Sequence, residues 1–151
     1  MERLRGLVLV VCVVLALPGG ARAAVLSPAL VKDLDAATYV YVQSERKSGA
    51  WSAPAEIWFF RDGDAVVVGT KPTSWRVKRI LAGRTKARIA VGSATGPAFE
   101  ATGAVVKDPA LAAKLLAAYA TKYPDRWPKY ADDFRNGLAD GNRVLVRYTP
   151  R

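Results

Sequence analysis

The stretch of this chain best equipped for chemistry is Gly69–Arg79, which reads Gly-Thr-Lys-Pro-Thr-Ser-Trp-Arg-Val-Lys-Arg. Four cations, Lys71, Arg76, Lys78 and Arg79, are interleaved with the hydroxyls of Thr70, Thr73 and Ser74. The stretch leaves a strand-like run, crosses a polar loop and enters a helix-like run. Free N–H groups at a helix start, with hydroxyl donors and a first-turn cation, suit a phosphate group. Ser74 fits the N-cap position, and Arg76 then falls in the first turn. The same residues also fit a short amphipathic helix whose cations are merely solvated, and composition does not choose between the two.

Other chemistries are narrowed by what is missing. There is no histidine, which removes Ser-His-Asp and Cys-His catalysis and His-based metal or haem ligation. Glu56, Glu100 and Asp108 lie on separate elements, and Asp108 fits a capping role. No catalytic residue is assigned and no metal site is expected. Trp51, Trp127 and Tyr130 are candidates for covering a flat ligand, or else ordinary core or contact aromatics.

The N-terminal residues form a separate unit. Arg3 and Arg5 give a basic start, Leu7–Leu17 is an unbroken apolar run, and Pro18-Gly19-Gly20 breaks it. Ala21-Arg22-Ala23 supplies a small-x-small cleavage pattern. The apolar run is well short of the roughly 20 residues of a spanning helix. A cleavable signal peptide over residues 1–23 is expected, with no stable membrane anchor and an exported (periplasmic or secreted) domain over residues 24–151. Cys12 lies inside the apolar run rather than after it, against a lipoprotein, and Arg3 and Arg5 are not adjacent, against a twin-arginine signal. Cys12 is the only cysteine, so the exported domain has no disulfide and must hold by its core. The full chain carries a formal +10, and residues 1–23 hold three cations and one acid, leaving +8. Such a charge suits anionic lipid, nucleic acid or a phosphorylated ligand, or is only a solvated surface. The basic run holds a single aromatic, Trp75, so it lacks the interleaved aromatics of a single-strand nucleic-acid binder, and no nucleic-acid partner is expected.

The elements that must position Gly69–Arg79 follow from periodicity. A lead-in helix is expected over Pro28–Ala36. Thr38–Arg46, Ala53–Arg61 and Ala65–Gly69 read as strands rich in β-branched and aromatic residues, with Asp62-Gly63 as a hairpin signal. Val77, Ile80 and Leu81 recur on one face of a helix over Trp75–Ala82, closed by Gly83. Ala87–Ser93 and Phe99–Lys107 read as strands. Asp108-Pro109 starts a helix running to about Tyr123. Tyr123–Tyr130 reads as an aromatic, proline-broken loop, and Arg143–Thr149 as a closing strand. The pattern predicts one mainly β (α+β) domain, a six-stranded antiparallel barrel with two or three peripheral helices. Regular strand–helix alternation is lacking, which argues against a doubly wound fold.

In its order of motifs the chain, from Tyr39 to Pro150, resembles the pyridoxamine 5′-phosphate oxidase-like, FMN-binding split-barrel family. Pro54–Phe60 (PAEIWFF) is similar to that family's Pro-x-x-Trp-Phe strand, followed by the Asp62-Gly63 hairpin. Thr70, Ser74 and Arg76 match its Thr-containing loop and the Ser and cation opening its helix. Arg76-Val77-Lys78-Arg79-Ile80 resembles Lys-Val-Arg-Asn-Leu, Arg88-Ile89 an Arg-Val strand, and Arg143–Pro150 the closing strand. The resemblance implies a split β-barrel in which Thr70, Ser74 and Arg76 hold the phosphate of FMN, helped by Lys71 and Lys78. Some relatives use the deazaflavin F420 and some bind haem. It further implies a flavoprotein oxidoreductase acting on a small molecule, with its cleft at a homodimer interface. The alternative is a non-catalytic exported protein binding an anionic cofactor or ligand (FMN, F420 or haem-like), which crossing the membrane unfolded would favour.

Overall fold

In the computed structural model, residues 24–151 are described; the predicted signal peptide lies outside them. Seven antiparallel strands form one curled sheet, a half-barrel ordered β2-β1-β5-β6-β7-β4-β3. The strands are β1 (Val40–Ser44), β2 (Ala55–Ile57), β3 (Phe60–Asp62), β4 (Ala65–Thr70), β5 (Lys86–Val91), β6 (Ala98–Val106) and β7 (Val144–Pro150). Four helices accompany them: α1 (Pro28–Ala36), α2 (Trp75–Leu81), α3 (Pro109–Lys122) and α4 (Trp127–Asp140). The expected mainly β split barrel is the observed architecture, with one more strand and one more helix.

The extra strand arises inside Ala53–Arg61, which reads as one strand and is two. Val40 of β1 pairs with Ile57, whereas Phe60 pairs with Val67 of β4. The chain therefore crosses between the two edges of the sheet at Trp58-Phe59. Backbone polar groups at such a crossing need other partners, and two buried tyrosines supply them, Tyr119 of α3 and Tyr123 at its C-cap. Tyr123 Oη accepts from Phe59 N at 3.0 Å and donates to Thr38 O at 2.8 Å. Tyr119 Oη donates to Trp58 O at 2.7 Å.

The extra helix corrects the reading of Tyr123–Tyr130 as a loop. Pro128 sits in the first turn of α4, where a missing N–H is no loss and the fixed φ suits the helix. Gly141 at φ 87° ends it. Elsewhere the local signals hold. Asp108 Oδ1 accepts from Ala110 N and Leu111 N at 2.9 and 3.0 Å, capping α3. Asp62 pairs with Ala65 across a two-residue turn, in which Gly63 takes φ 62°.

Two apolar clusters hold the fold, one on each face of the sheet. Val66 and Val68 of β4 and Val146 and Tyr148 of β7 point into the barrel, joined by Leu34 of α1 and Val77 of α2. Val67 and Leu145 point outward and are covered by Leu111, Leu115 and Tyr119 of α3 and Phe134 of α4. Every residue of β4 is consequently buried, so a strand feeding the Thr70 loop is fixed from both sides.

Candidate functional site

The end of β4, the β2–β3 crossing and α4 border an open cavity of about 500 Å³. That is within the roughly 300–1,000 Å³ of ordinary small-molecule sites. Its polar side is Thr70, Lys71, Thr73 and Ser74. Its flat side is Trp58, Tyr130 and Phe134. Trp58 lies parallel to Phe134, with centroids 6.0 Å apart, and edge-on to Tyr130 at 5.6 Å. Behind it, Tyr123 stacks on Trp58 at 4.2 Å. Such offset and edge-to-face packing holds an aromatic wall stiffly.

Gly69 also lines the cavity. A Cβ there would stand 3.0 Å from Phe134 Cε1, so the glycine lets the ring of α4 close against β4. The Gly69 N–H is held by Tyr119 Oη at 3.3 Å. Burial drives the Tyr119 and Tyr123 phenols well above their usual pKa, so both stay neutral donors at any ordinary pH.

The residues predicted for phosphate divide. Thr70, Lys71 and Ser74 come together on the cavity wall. Ser74 stands at the N-cap of α2 with extended backbone but makes no capping bond. Its Oγ is shielded from solvent and has no partner among the described residues. An unpaired buried hydroxyl is costly to leave, and a ligand oxygen in the cavity would satisfy it. Helix α2 has only seven residues, so the anion-binding character rests on side chains more than on a helix dipole.

Arg76 and Lys78 are not among the lining residues. The Arg76 guanidinium lies near the buried Tyr148 hydroxyl, where its charge opposes the rise that burial imposes on the phenol. The pair does not reach hydrogen-bond geometry, and Arg76 Nη1 and Tyr148 Oη are both unpartnered among the described residues. Lys78 is exposed and lies over the Trp75 ring at 5.0 Å.

Two cations that local reading passed over take their place. Arg126 and Arg143 line the cavity. Arg143 sits 3.8 Å over the Phe134 ring and donates to Asp133 through Nε at 3.0 Å. Their signal was hidden because Arg126 immediately precedes the undetected helix α4, and Arg143 reads as an alternating strand residue. Of the candidate aromatics, Tyr130 lines the cavity. Trp127 packs against Tyr119 and Phe134, and Trp51 bridges Glu45 outside the named strands.

One acid reaches the cavity, Glu56, and it accepts a 2.6 Å bond from Tyr41 Oη. Among the described residues no group of His, Cys, Asp and Glu is placed to hold a metal ion. The cavity is thus lined by cations and aromatic rings, with a single acid among them.

No model of a protein family matches the chain, and no curated protein matches it. Solved structures do match. A conserved hypothetical protein from Mycobacterium tuberculosis superposes with a TM-score of 0.61 at 17% identity, covering 87% of this chain and 84% of its own. A candidate pyridoxamine 5′-phosphate oxidase from Listeria innocua gives 0.59 at 10% identity, covering 82% and 91%. HutZ, the haem storage protein from Vibrio cholerae, gives 0.56 at 14% identity, covering 85% and 92%. At these identities the likeness is one of fold: the chain has the split-barrel fold of the pyridoxamine 5′-phosphate oxidase-like proteins.

Proposed function

We propose that this protein is an exported flavin-binding split barrel that holds FMN, with F420 as the alternative, in the cavity between β4, the β2–β3 crossing and α4. The observation that carries the reading is the unpartnered Ser74 Oγ beside Thr70 and Lys71, facing the wall of Trp58, Tyr130 and Phe134. Hydroxyls and a cation suit a phosphate, and stacked aromatics suit an isoalloxazine ring. When bound, the flavin would supply the redox chemistry, so the protein needs no catalytic acid or base. The chain's own residues bind, orient and shield. Thr70, Lys71 and Ser74 would hold the phosphate, and the aromatic wall would set the ring plane. Arg76 and Lys78 would act only through charge, from outside the cavity.

An oxidoreductase acting on a small molecule is the catalytic form of this reading. A second form is a binder without turnover. It is favoured by the export expected from residues 1–23, since a chain that crosses the membrane unfolded must meet any cofactor afterwards, and by the likeness to a haem storage protein. Residues 1–23 support export to the periplasm or medium, and among the described residues no helix is long and apolar enough to cross a membrane. The homodimer implied by the resemblance belongs to the same reading and is measured by light scattering.

Titration of the protein with FMN, followed by quenching of flavin fluorescence, tests the site. Saturable binding is expected, weakened about tenfold or more by Lys71→Glu, which reverses a phosphate-binding charge. Absence of quenching at saturating FMN ends the flavin reading.

A further inference from the structure

Charge is unevenly shared along this chain. Residues 65–99 hold seven Lys and Arg and no Asp or Glu. None of the seven forms an ion pair among the described residues, whereas Arg61, Lys114, Arg135, Arg143 and Arg147 all do. Helix α2 lies within this run, and its outer side is partly apolar. Trp75 and Leu81, its first and last residues, are 68% and 72% exposed. Val25 is the one other large apolar side chain so exposed among the described residues. Val77 is buried in the barrel core, and Trp75, two residues before it, falls on the opposite side of the helix. The outer side is also held in place. Arg79 Nη1 donates to Ser44 Oγ of β1 at 2.9 Å. Lys78 Nζ and the Arg79 guanidinium lie over the Trp75 ring, 5.0 and 5.6 Å from its centroid. The result is a small apolar ridge in a basic, acid-free field.

The chemistry of the ridge selects its partner. A nucleic-acid strand would use the cations and Trp75, but it has no use for Leu81, and the basic run offers no second aromatic for stacking. A second copy placed ridge to ridge would set like charges together. Two side chains also fall far short of the roughly 800 Å² that each partner buries in a stable interface. An anionic bilayer surface uses every part. Its phosphates attract the cations, its headgroup layer suits an indole, and its acyl boundary takes a leucine and a lysine stem.

We propose that α2 docks the mature protein, peripherally and reversibly, on an anionic lipid bilayer, with Trp75 and Leu81 entering the headgroup region and Lys78 and Arg79 facing the lipid phosphates. The inference rests on this surface and not on a flavin in the cavity.

Co-sedimentation with vesicles tests it. The mature protein is expected to sediment with vesicles of mixed phosphatidylglycerol and phosphatidylcholine, not with phosphatidylcholine alone, and to be released as salt is raised. Lys78→Glu and Trp75→Ala are each expected to weaken binding about tenfold. Lys32→Glu makes the same change of net charge on α1. That helix is tied by Asp35 to Arg61, beside the start of β4, whereas α2 follows the end of β4, so a change of no more than about twofold is expected. Equal losses from Lys32→Glu and Lys78→Glu would reduce the effect to net charge and overturn the proposal. Brominated phosphatidylcholine in the anionic vesicles is expected to quench the tryptophan emission of the parent, and far less that of Trp75→Phe. Unchanged quenching in Trp75→Phe puts a different tryptophan in the lipid and overturns it. So does failure to sediment with anionic vesicles. A fall in mass of Trp75→Ala by light scattering would show a second copy covering the ridge, and tighter binding to a single-stranded oligonucleotide, lost in Lys78→Glu, would make it a nucleic-acid site; either result overturns the proposal.

Discussion

Ser74 and Lys122 are two polar side chains held in places that do not satisfy them. The Ser74 hydroxyl is shielded and unpartnered, so Ser74→Ala removes nothing the folded chain uses. Its unfolding free energy is expected to hold or to rise by up to about 1 kcal/mol, because the unsatisfied hydroxyl is gone. FMN affinity is expected to fall about tenfold, through loss of one charge-assisted bond. Equal losses of stability and affinity would make Ser74 structural. Lys122 sits 3.3 Å over the Phe59 ring. Burial lowers its pKa from 10.5 to about 8, against the attraction of Asp35. The unfolded chain therefore holds this proton more tightly, so stability rises as pH climbs from about 8 to 10.5. Lys122→Met is expected to flatten that rise in denaturant titrations at pH 7.5 and 10. A parallel pair of pH profiles would refute the assignment. Thr70, Lys71 and Ser74 were legible in the sequence because one short loop holds them all. Tyr130 was a candidate as an aromatic, but Arg126 and Phe134 were not, because their place beside it exists only once α4 is known.

Among the elements, the β2–β3 crossing shows most clearly why local reading stops short. Residues on both sides of Trp58 have strand character, and nothing nearby marks the break. What permits it is the pair Tyr119 and Tyr123, four residues apart at the end of α3 and its C-cap, and some sixty positions along the chain. Helix α4 was hidden by the opposite error. Its proline reads as a breaker, although a first-turn proline favours a helix. The hairpin, the capped α3 and the strands with β-branched runs were legible because each depends on neighbours in sequence. Tyr119→Phe tests the tie between elements. It leaves Trp58 C=O and Gly69 N–H without their buried partner, and a loss of about 1–3 kcal/mol is expected by chemical denaturation. FMN affinity should fall as well, since both cavity walls loosen. A variant as stable as the parent would show that water or backbone movement replaces the hydroxyl.

For the molecule as a whole, the fold is a half-barrel with an apolar cluster on either face, no disulfide in residues 24–151, and a basic, aromatic cavity at the seam. The overall barrel was legible from strand count and turn chemistry, since antiparallel neighbours are mostly neighbours in sequence. The α4 side of the cavity was not, because it comes from a hairpin inserted between β6 and β7. The function proposed for this barrel is to carry a flavin in that cavity after export. The absorbance spectrum of the mature protein isolated from its native compartment tests it most directly. The account predicts a yellow protein showing flavin bands in the near ultraviolet and the blue, with one flavin per chain. A protein that is colourless as isolated, and remains so after dialysis against excess FMN, would contradict it.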